Sequence, residues 1–285
     1  MHQYPPIPDA ADAPAELFEQ GHLWLTEQLD GAHLRFTTQE TGVLAFGDRT
    51  RVWTEGEIPE QYRHAVRHVR ETVDRDALQE AVDSAGDLVV FGAAMHRRTI
   101  DYDWDRVPSF VGFDVWAADR DAFLPPDLAE KVVEGIGLAS VNTFDREVPA
   151  KHFQPESYEV PDSEWYDGPA AGVVVKNKRG LRASIASDRL DATAGPEPVD
   201  TSPEAFTERV VSEGLVRRVV RDLTDRAGGS PPKAETVHQH VLDRVFRAEY
   251  GRLTHHESSV DPASVRSAVA GRVQTLLHRI DTETA

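Results

Sequence analysis

The sequence predicts an α+β protein, an antiparallel-rich domain followed by a helical one, and three observations carry that prediction. Near the N-terminus two apolar-rich runs flank Asp30-Gly31, and an Asp-Gly pair in that position marks a tight hairpin. Short β-branched and aromatic runs then recur as far as Ile185, the composition of half-buried strands. Beyond Pro203 the apolar residues recur at helical spacing instead. Between the two regimes, Asp191 to Thr201 is rich in Ala, Gly, Pro and Asp, which sets the boundary between domains 1–195 and 196–285.

The elements follow in order. His22 to Gln28 and Ala32 to Thr37 are the hairpin strands, and Val43 to Phe46 is a third short strand. Pro59 to about Ser84 reads as one helix, with Tyr62, Val66, Val69 and Val73 on one face. Leu88 to Phe91 and Phe110 to Trp116 read as buried strands joined by a loop rich in Trp, Tyr and Asp. Leu124 to Gly135 is a helix with Pro125 and Pro126 near its start. Val173 to Val175 and Leu181 to Ile185 are strands around the Arg179-Gly180 turn. The C-terminal helices are Pro203 to Ala227, Ala234 to Thr254 and Pro262 to Thr282, the first two separated by Gly228-Gly229-Ser230-Pro231-Pro232.

Composition excludes several function classes. The absence of cysteine removes disulfides, thiolate metal sites and a Cys nucleophile. No run of about 18 apolar residues is present, so no membrane partner is expected. Met1 to Ala15 is acidic and Pro-rich, unlike a signal peptide, and the expected location is the cytoplasm. The formal charge is −18, and of 31 basic residues only Lys131, Lys151, Lys176, Lys178 and Lys233 are lysines. An acidic, Lys-poor chain suits a salt-rich interior, where ions screen its self-repulsion. Phosphate binding would then depend on a local cluster of cations and not on net charge.

Six segments carry chemistry. Gln28-Leu29-Asp30-Gly31 forms the hairpin turn. Gly47-Asp48-Arg49-Thr50-Arg51 offers an arginine in a turn. Val89-Val90-Phe91-Gly92-Ala93 and Phe110-Val111-Gly112-Phe113-Asp114 are apolar strands with small or aromatic residues set in them. Ala171-Gly172-Val173-Val174-Val175-Lys176 leads into the densest basic cluster, Lys176-Asn177-Lys178-Arg179, and Arg182-Ala183-Ser184-Ile185-Ala186 follows. Taken together, in this order and spacing over residues 1 to 190, they resemble the motifs of the covalent nucleotidyltransferases. The chain is most similar to the ATP-dependent RNA ligase family of the phage RNA-repair and editing-ligase type.

The resemblance implies an ATP-grasp-like RNA/DNA ligase fold, with adenine nucleotide and RNA ends as partners and ATP and Mg²⁺ as cofactors. It places Gln28 where the family has its nucleophilic lysine, Ala93 and Ala171 where it has metal-binding glutamates, and Ser184 where it has a phosphate-binding lysine. A carboxamide nitrogen is not a nucleophile at neutral pH, whereas a lysine amine with a lowered pKa is. The residues that match and would still bind nucleotide are Asp30, Gly31, Arg49, Phe113, Lys176 and Lys178. The implied function is a pseudo-ligase that binds nucleotide or RNA ends without self-adenylylation, its Mg²⁺ ligands lost. The alternatives are an active ligase with Lys176 or Lys178 as a relocated nucleophile, and a non-enzymatic interaction subunit.

Other polar groups read as ordinary surface. His238 and His240 are two residues apart and diverge on a helix, and His255-His256 lies in the same extension. Tyr102-Asp103-Trp104-Asp105 reads as a loop whose aromatics pack over the sheet. Arg209, Arg217, Arg218, Arg221 and Arg226 alternate with acids and read as an ion-paired helix face.

Overall fold

The computed structural model describes residues 1–80, 87–191 and 195–284. The chain divides into two compact units, residues 1–95 with 105–192, and residues 96–104 with 193–285.

The first unit opens with an extended segment and the short helix α1 (Glu16–Glu19). The strands β1 (His22–Gln28), β2 (Ala32–Thr38), β3 (Leu44–Gly47) and β4 (Val52–Trp53) follow, then helices α2 (Glu60–Thr72) and α3 (Arg75–Glu80). Next come β5 (Leu88–Ala94), β6 (Phe110–Ala117), β7 (Ala122–Phe123), α4 (Pro126–Gly135), β8 (Ala139–Ser140), β9 (Thr143–Pro149), β10 (Gly172–Asn177) and β11 (Arg182–Ala186). One sheet has the order β11-β10-β1-β9; the other runs β4-β3-β2-β5-β6-β7, with β8 paired to β6. The expected hairpin is therefore not formed: β1 pairs with β9 and β10, β2 with β3 and β5, and Asp30-Gly31 carries the chain from one sheet to the other. All pairings are antiparallel except β6 with β8.

Period-two alternation decides what faces what. On the larger sheet Leu34, Phe36, Leu88, Val90, Phe110 and Val115 pack against α2 and α4. The opposite face carries His33, Arg35, Val89, Phe91, Ala93 and Phe113. On the smaller sheet Leu23, Leu25, Val173, Val175 and Ala183 enter a core with Leu17 and Val160. That parity leaves Thr26, Gln28, Val174, Lys176, Arg182 and Ser184 on its other face. A register shift between Phe91 and Gly92 sets the parity of β5 against β6. Gly92 is needed there, because a Cβ would sit 2.2 Å from Cζ of Phe110.

The structure divides two elements that the sequence joins. The predicted helix from Pro59 breaks at Val73 and Asp74, where Asp74 Oδ1 accepts from the amides of Asp76 and Ala77 and starts α3. Residues 81–84 of that prediction lie outside the described residues. The predicted helix from Pro203 is α5 (Pro203–Val210) and α6 (Glu213–Arg226). Ser212 separates them and caps α6 by accepting from the Leu215 amide at 3.1 Å. With α7 (Ala234–Leu253) and α8 (Pro262–Thr284) these helices enclose a valine-rich core containing Val216, Val241, Val265 and Leu276.

The second unit also takes residues 96–104. The Arg97 amide donates to the Arg247 carbonyl and the Gly251 amide to the Arg97 carbonyl, while the Arg247 guanidinium lies 5.3 Å from the Trp104 ring centre. Trp104 of the aromatic loop therefore meets α7. The arginine-rich face of α6 is ion-paired: Arg217 meets Glu213 at 2.9 Å, and Asp222 meets Arg244 at 3.0 Å. His238 is half-buried and not fully solvated.

Candidate functional site

The two faces left free by the alternation enclose a cleft in the first unit, with a cavity of about 250 Å³. Gln28, Gly31, His33, Arg49, Ala93, Phe113, Lys176 and Ser184 line it. Gln28 ends β1 opposite Gly172, whose missing side chain makes room: a Cβ there would lie 2.5 Å from Gln28 Oε1. Gln28 Oε1 is buried and has no hydrogen-bond partner. Phe113 and Val174 supply apolar wall from opposite sheets, and Thr26 Oγ1 donates to the Val174 carbonyl at 3.2 Å.

Beside Phe113 lies a buried charge cluster. Asp114 is paired with Lys176 Nζ at 3.2 Å and with Arg182 at 3.6 Å. Lys176 Nζ also donates to the Phe113 carbonyl at 2.7 Å. Burial, then the neighbouring Arg182, lowers the Lys176 amine below its ordinary value, while Asp114 opposes the shift. The amine is nonetheless held between a carbonyl and a carboxylate.

The N-terminal segment completes the cleft. The Tyr4 hydroxyl donates to Asp114, and its ring packs among His33, Phe91, Phe113 and Phe123 at 5.1–5.4 Å between centres. Arg35 donates to the His2 carbonyl, and the His2 ring stacks on Trp116 at 4.2 Å. The Ser184 amide and hydroxyl both donate to the Pro8 carbonyl, at 2.9 and 3.2 Å, and Asp9 bridges Ser184 in parallel. Pro5 and Pro6 favour the extended path.

His33 faces the cleft from β2, and neither ring nitrogen finds a hydrogen-bond partner in another residue. Burial, with help from Arg49 and Arg35, pushes its pKa down to about 4, so the ring is neutral at pH 7. Glu27 is the cleft's buried acid. It accepts from Ser163 Oγ at 2.5 Å, from the Glu164 amide at 3.2 Å and from Asn142 at 3.3 Å. Burial raises its carboxyl above the ordinary range in spite of these bonds.

The residues singled out from the sequence do not all converge. Gln28, Gly31, Arg49, Ala93, Phe113, Lys176 and Ser184 line the cleft, whereas Asp30, Ala171 and Lys178 do not. Ala171 precedes β10, and its carbonyl accepts from the Ser187 amide. Lys178 is exposed, paired with Glu147 at 3.2 Å and placed over Trp24. Asn177 Oδ1 accepts from the Arg179 and Leu181 amides, so the basic run bends into a turn. Sequence reasoning missed Tyr4, His33 and Glu27. Period two starting from Leu34 already puts His33 on the face away from the core; Tyr4 has no comparable signal.

The profile of the RNA ligase family matches residues 21–230. The chain belongs to the RNA ligase family. The RNA ligase of Naegleria gruberi, solved with pyrophosphate, aligns with a TM-score of 0.52 at 16% identity, over 66% of this chain and 56% of that one. Two variants of the Naegleria enzyme, each solved with ATP and manganese, give the same values. At that identity the likeness is one of fold, and the chain spans little more than half of the Naegleria protein. No curated protein matches the chain. Within the RNA ligase fold, the group to test against this cleft is a metal ion beside a nucleotide. Among the described residues no three His, Asp or Glu side chains come together. Glu27, the cleft carboxylate, is already occupied by Ser163, Glu164 and Asn142. Glu27 is the one carboxylate among the residues lining the cleft, whose other walls are apolar and carry the unpartnered Gln28 and His33 atoms.

Proposed function

We propose that this RNA ligase-family protein is a pseudo-ligase, holding an adenine nucleotide or an RNA end in its cleft without becoming adenylylated. One observation supports this above the others. The side chain at the end of β1 is a carboxamide, and the one amine lining the cleft, Lys176, is bound by Asp114 and the Phe113 carbonyl. Self-adenylylation needs a free amine pair to attack the α-phosphorus while pyrophosphate departs. A Lys176 that left Asp114 would give up its charged hydrogen bonds there and leave the buried carboxylate with Arg182 and Tyr4 alone, a change costing about 1.5–3 kcal/mol. Lys178 lies outside the cleft lining, on an exposed pair with Glu147. The reading with a relocated lysine is therefore the weaker one.

Intact-mass spectrometry after incubation with ATP and Mg²⁺ or Mn²⁺ tests the proposal. The expected result is an unmodified chain; AMP on any lysine overturns it. Gln28→Lys alone should stay inactive in end joining, because Ala93 and Ala171 bring no carboxylate to hold metal. The quadruple variant Gln28→Lys, Ala93→Glu, Ala171→Glu, Ser184→Lys should do better than the single change, since groups that act as a unit are non-additive.

A further inference from the structure

We infer that the cleft accepts a purine nucleoside carrying at most one phosphate and turns away a nucleoside triphosphate. The inference rests on the nucleotide-binding part of the proposed function and names its ligand class. Four features of the cleft carry it.

Size comes first. A cavity of about 250 Å³ falls below the ~300–1,000 Å³ of most ligand sites, so the ligand is small. Its polar requirements are neutral. Gln28 Oε1 is an acceptor and needs a donor, and neutral His33 offers one N–H and one lone pair. A nucleobase amino group, ring nitrogen or ribose hydroxyl satisfies such atoms. Phosphate oxygens are acceptors only and leave Gln28 Oε1 without a donor. Leaving buried polar atoms unpaired costs about 1–3 kcal/mol each, which a nucleoside would recover.

The cations come next. Lys176 and Arg182 are committed to Asp114, Arg182 also lies 4.9 Å from the Tyr4 ring centre, and Arg35 is committed to the His2 carbonyl. Arg49 is exposed on the cleft wall and, among the described residues, makes no hydrogen bond or ion pair. One free guanidinium suits one phosphate. A triphosphate would bring three or four charges into a low-dielectric cleft with no metal-binding carboxylates beside it. Finally, the wall at Ser184 is covered by the N-terminal segment. What that segment brings to the lining is Tyr4 and Ile7, and the Ser184 amide and hydroxyl are spent on the Pro8 carbonyl. Neither side chain carries a positive charge for a phosphate.

Calorimetry on the full chain in concentrated KCl, titrating adenosine, AMP and ATP with and without Mg²⁺, tests this. Adenosine and AMP should bind within about tenfold of each other, and ATP at least threefold more weakly than adenosine whether or not Mg²⁺ is present. ATP within threefold of adenosine, or tighter, overturns the inference and leaves the nucleotide-binding reading standing. No heat from any of the three removes both. His33→Leu, which fills the same volume without polar atoms, should weaken adenosine and AMP alike by about three- to tenfold. Unchanged adenosine binding in that variant overturns the assignment of His33. A short oligoribonucleotide ending in adenosine separates the two sources of a nucleoside. Binding tighter than adenosine assigns the cleft to an RNA end, binding no tighter assigns it to the free nucleoside, and either keeps the chemistry.

Discussion

Tyr4→Phe isolates what anchors the N-terminal segment. The change removes one oxygen and leaves the ring among His33, Phe91, Phe113 and Phe123, so the aromatic contacts survive. The lost bond is the one donated to the carboxylate of Asp114, which is 1% exposed. A hydrogen bond to a buried charged group contributes about 1.5–3 kcal/mol. Asp114 keeps Lys176 and Arg182, which places the loss near the lower end, about 1.5–2 kcal/mol. For a unit of this size each kcal/mol moves the midpoint by about 2–4 °C, so the transition of the first unit should fall by roughly 3–8 °C. Thermal unfolding followed by circular dichroism and calorimetry at fixed KCl reads it directly. A midpoint within about 1 °C of wild type would refute the docking of Tyr4 on Asp114. Tyr4→Ala, which also removes the ring, should cost more, about 3–5 kcal/mol.

Three other outcomes are expected. With its pKa pushed from 6.5 to about 4, folded His33 holds fewer protons than the unfolded chain as the pH drops from about 6.5 to 4. The stability it allows is complete above about pH 6.5 and is lost as the pH falls through that window. His33→Asn should flatten the wild-type decline by on the order of 2–3 kcal/mol in urea titrations, and parallel pH curves would contradict the buried neutral ring. Gly92→Ala drives a methyl into the Phe110 ring and should destabilise by about 1–3 kcal/mol in the same assay; a neutral substitution would mean that β5 and β6 lie further apart. With a net charge of −18, melting temperature should climb between about 0.1 and 1 M KCl, as the Debye length shrinks from about 10 to 3 Å, and a salt-independent midpoint would count against salt adaptation.

The strands that built the cleft were legible because each has a strong period and clean punctuation. Asp30-Gly31 located the break between β1 and β2 but misled on their pairing, because an Asp-Gly turn between two apolar runs serves a crossing from one sheet to another as well as a hairpin, and the valine run at 173–175 located β10. Strand β9 was not legible. It is an exposed edge strand whose pairing with β1 is interrupted by register shifts, and Glu147 sits at a φ of 55° within it, so no alternation reaches the sequence. The break at Ser212 was visible in principle, since a serine three residues before an apolar helical position is a capping pattern, but the surrounding valines continue the helical period across it. The position of Gln28, Ala93 and Ser184 around one cavity followed from the motif order. The occupation of Lys176 by Asp114 did not, because a basic residue's partner 62 positions away leaves no trace in local pattern. The same holds for Tyr4, which meets Asp114 across 110 positions.

The membership of residues 96–104 in the second unit bears on the time order of synthesis. Ile100 and Tyr102, at 4% and 2% exposure, belong to that unit, whose α7 is made more than a hundred residues later. At roughly 5–20 residues per second, a ribosome reaches Arg247 on the order of 10–30 s after it has passed Trp104. For that interval the loop, tethered at both ends to strands β5 and β6, lacks the hydrogen bonds that Arg247 and Gly251 exchange with Arg97. A nascent chain arrested before α7 would leave that backbone open to proteolysis, and shortening the protein at residue 195 would make the loss permanent.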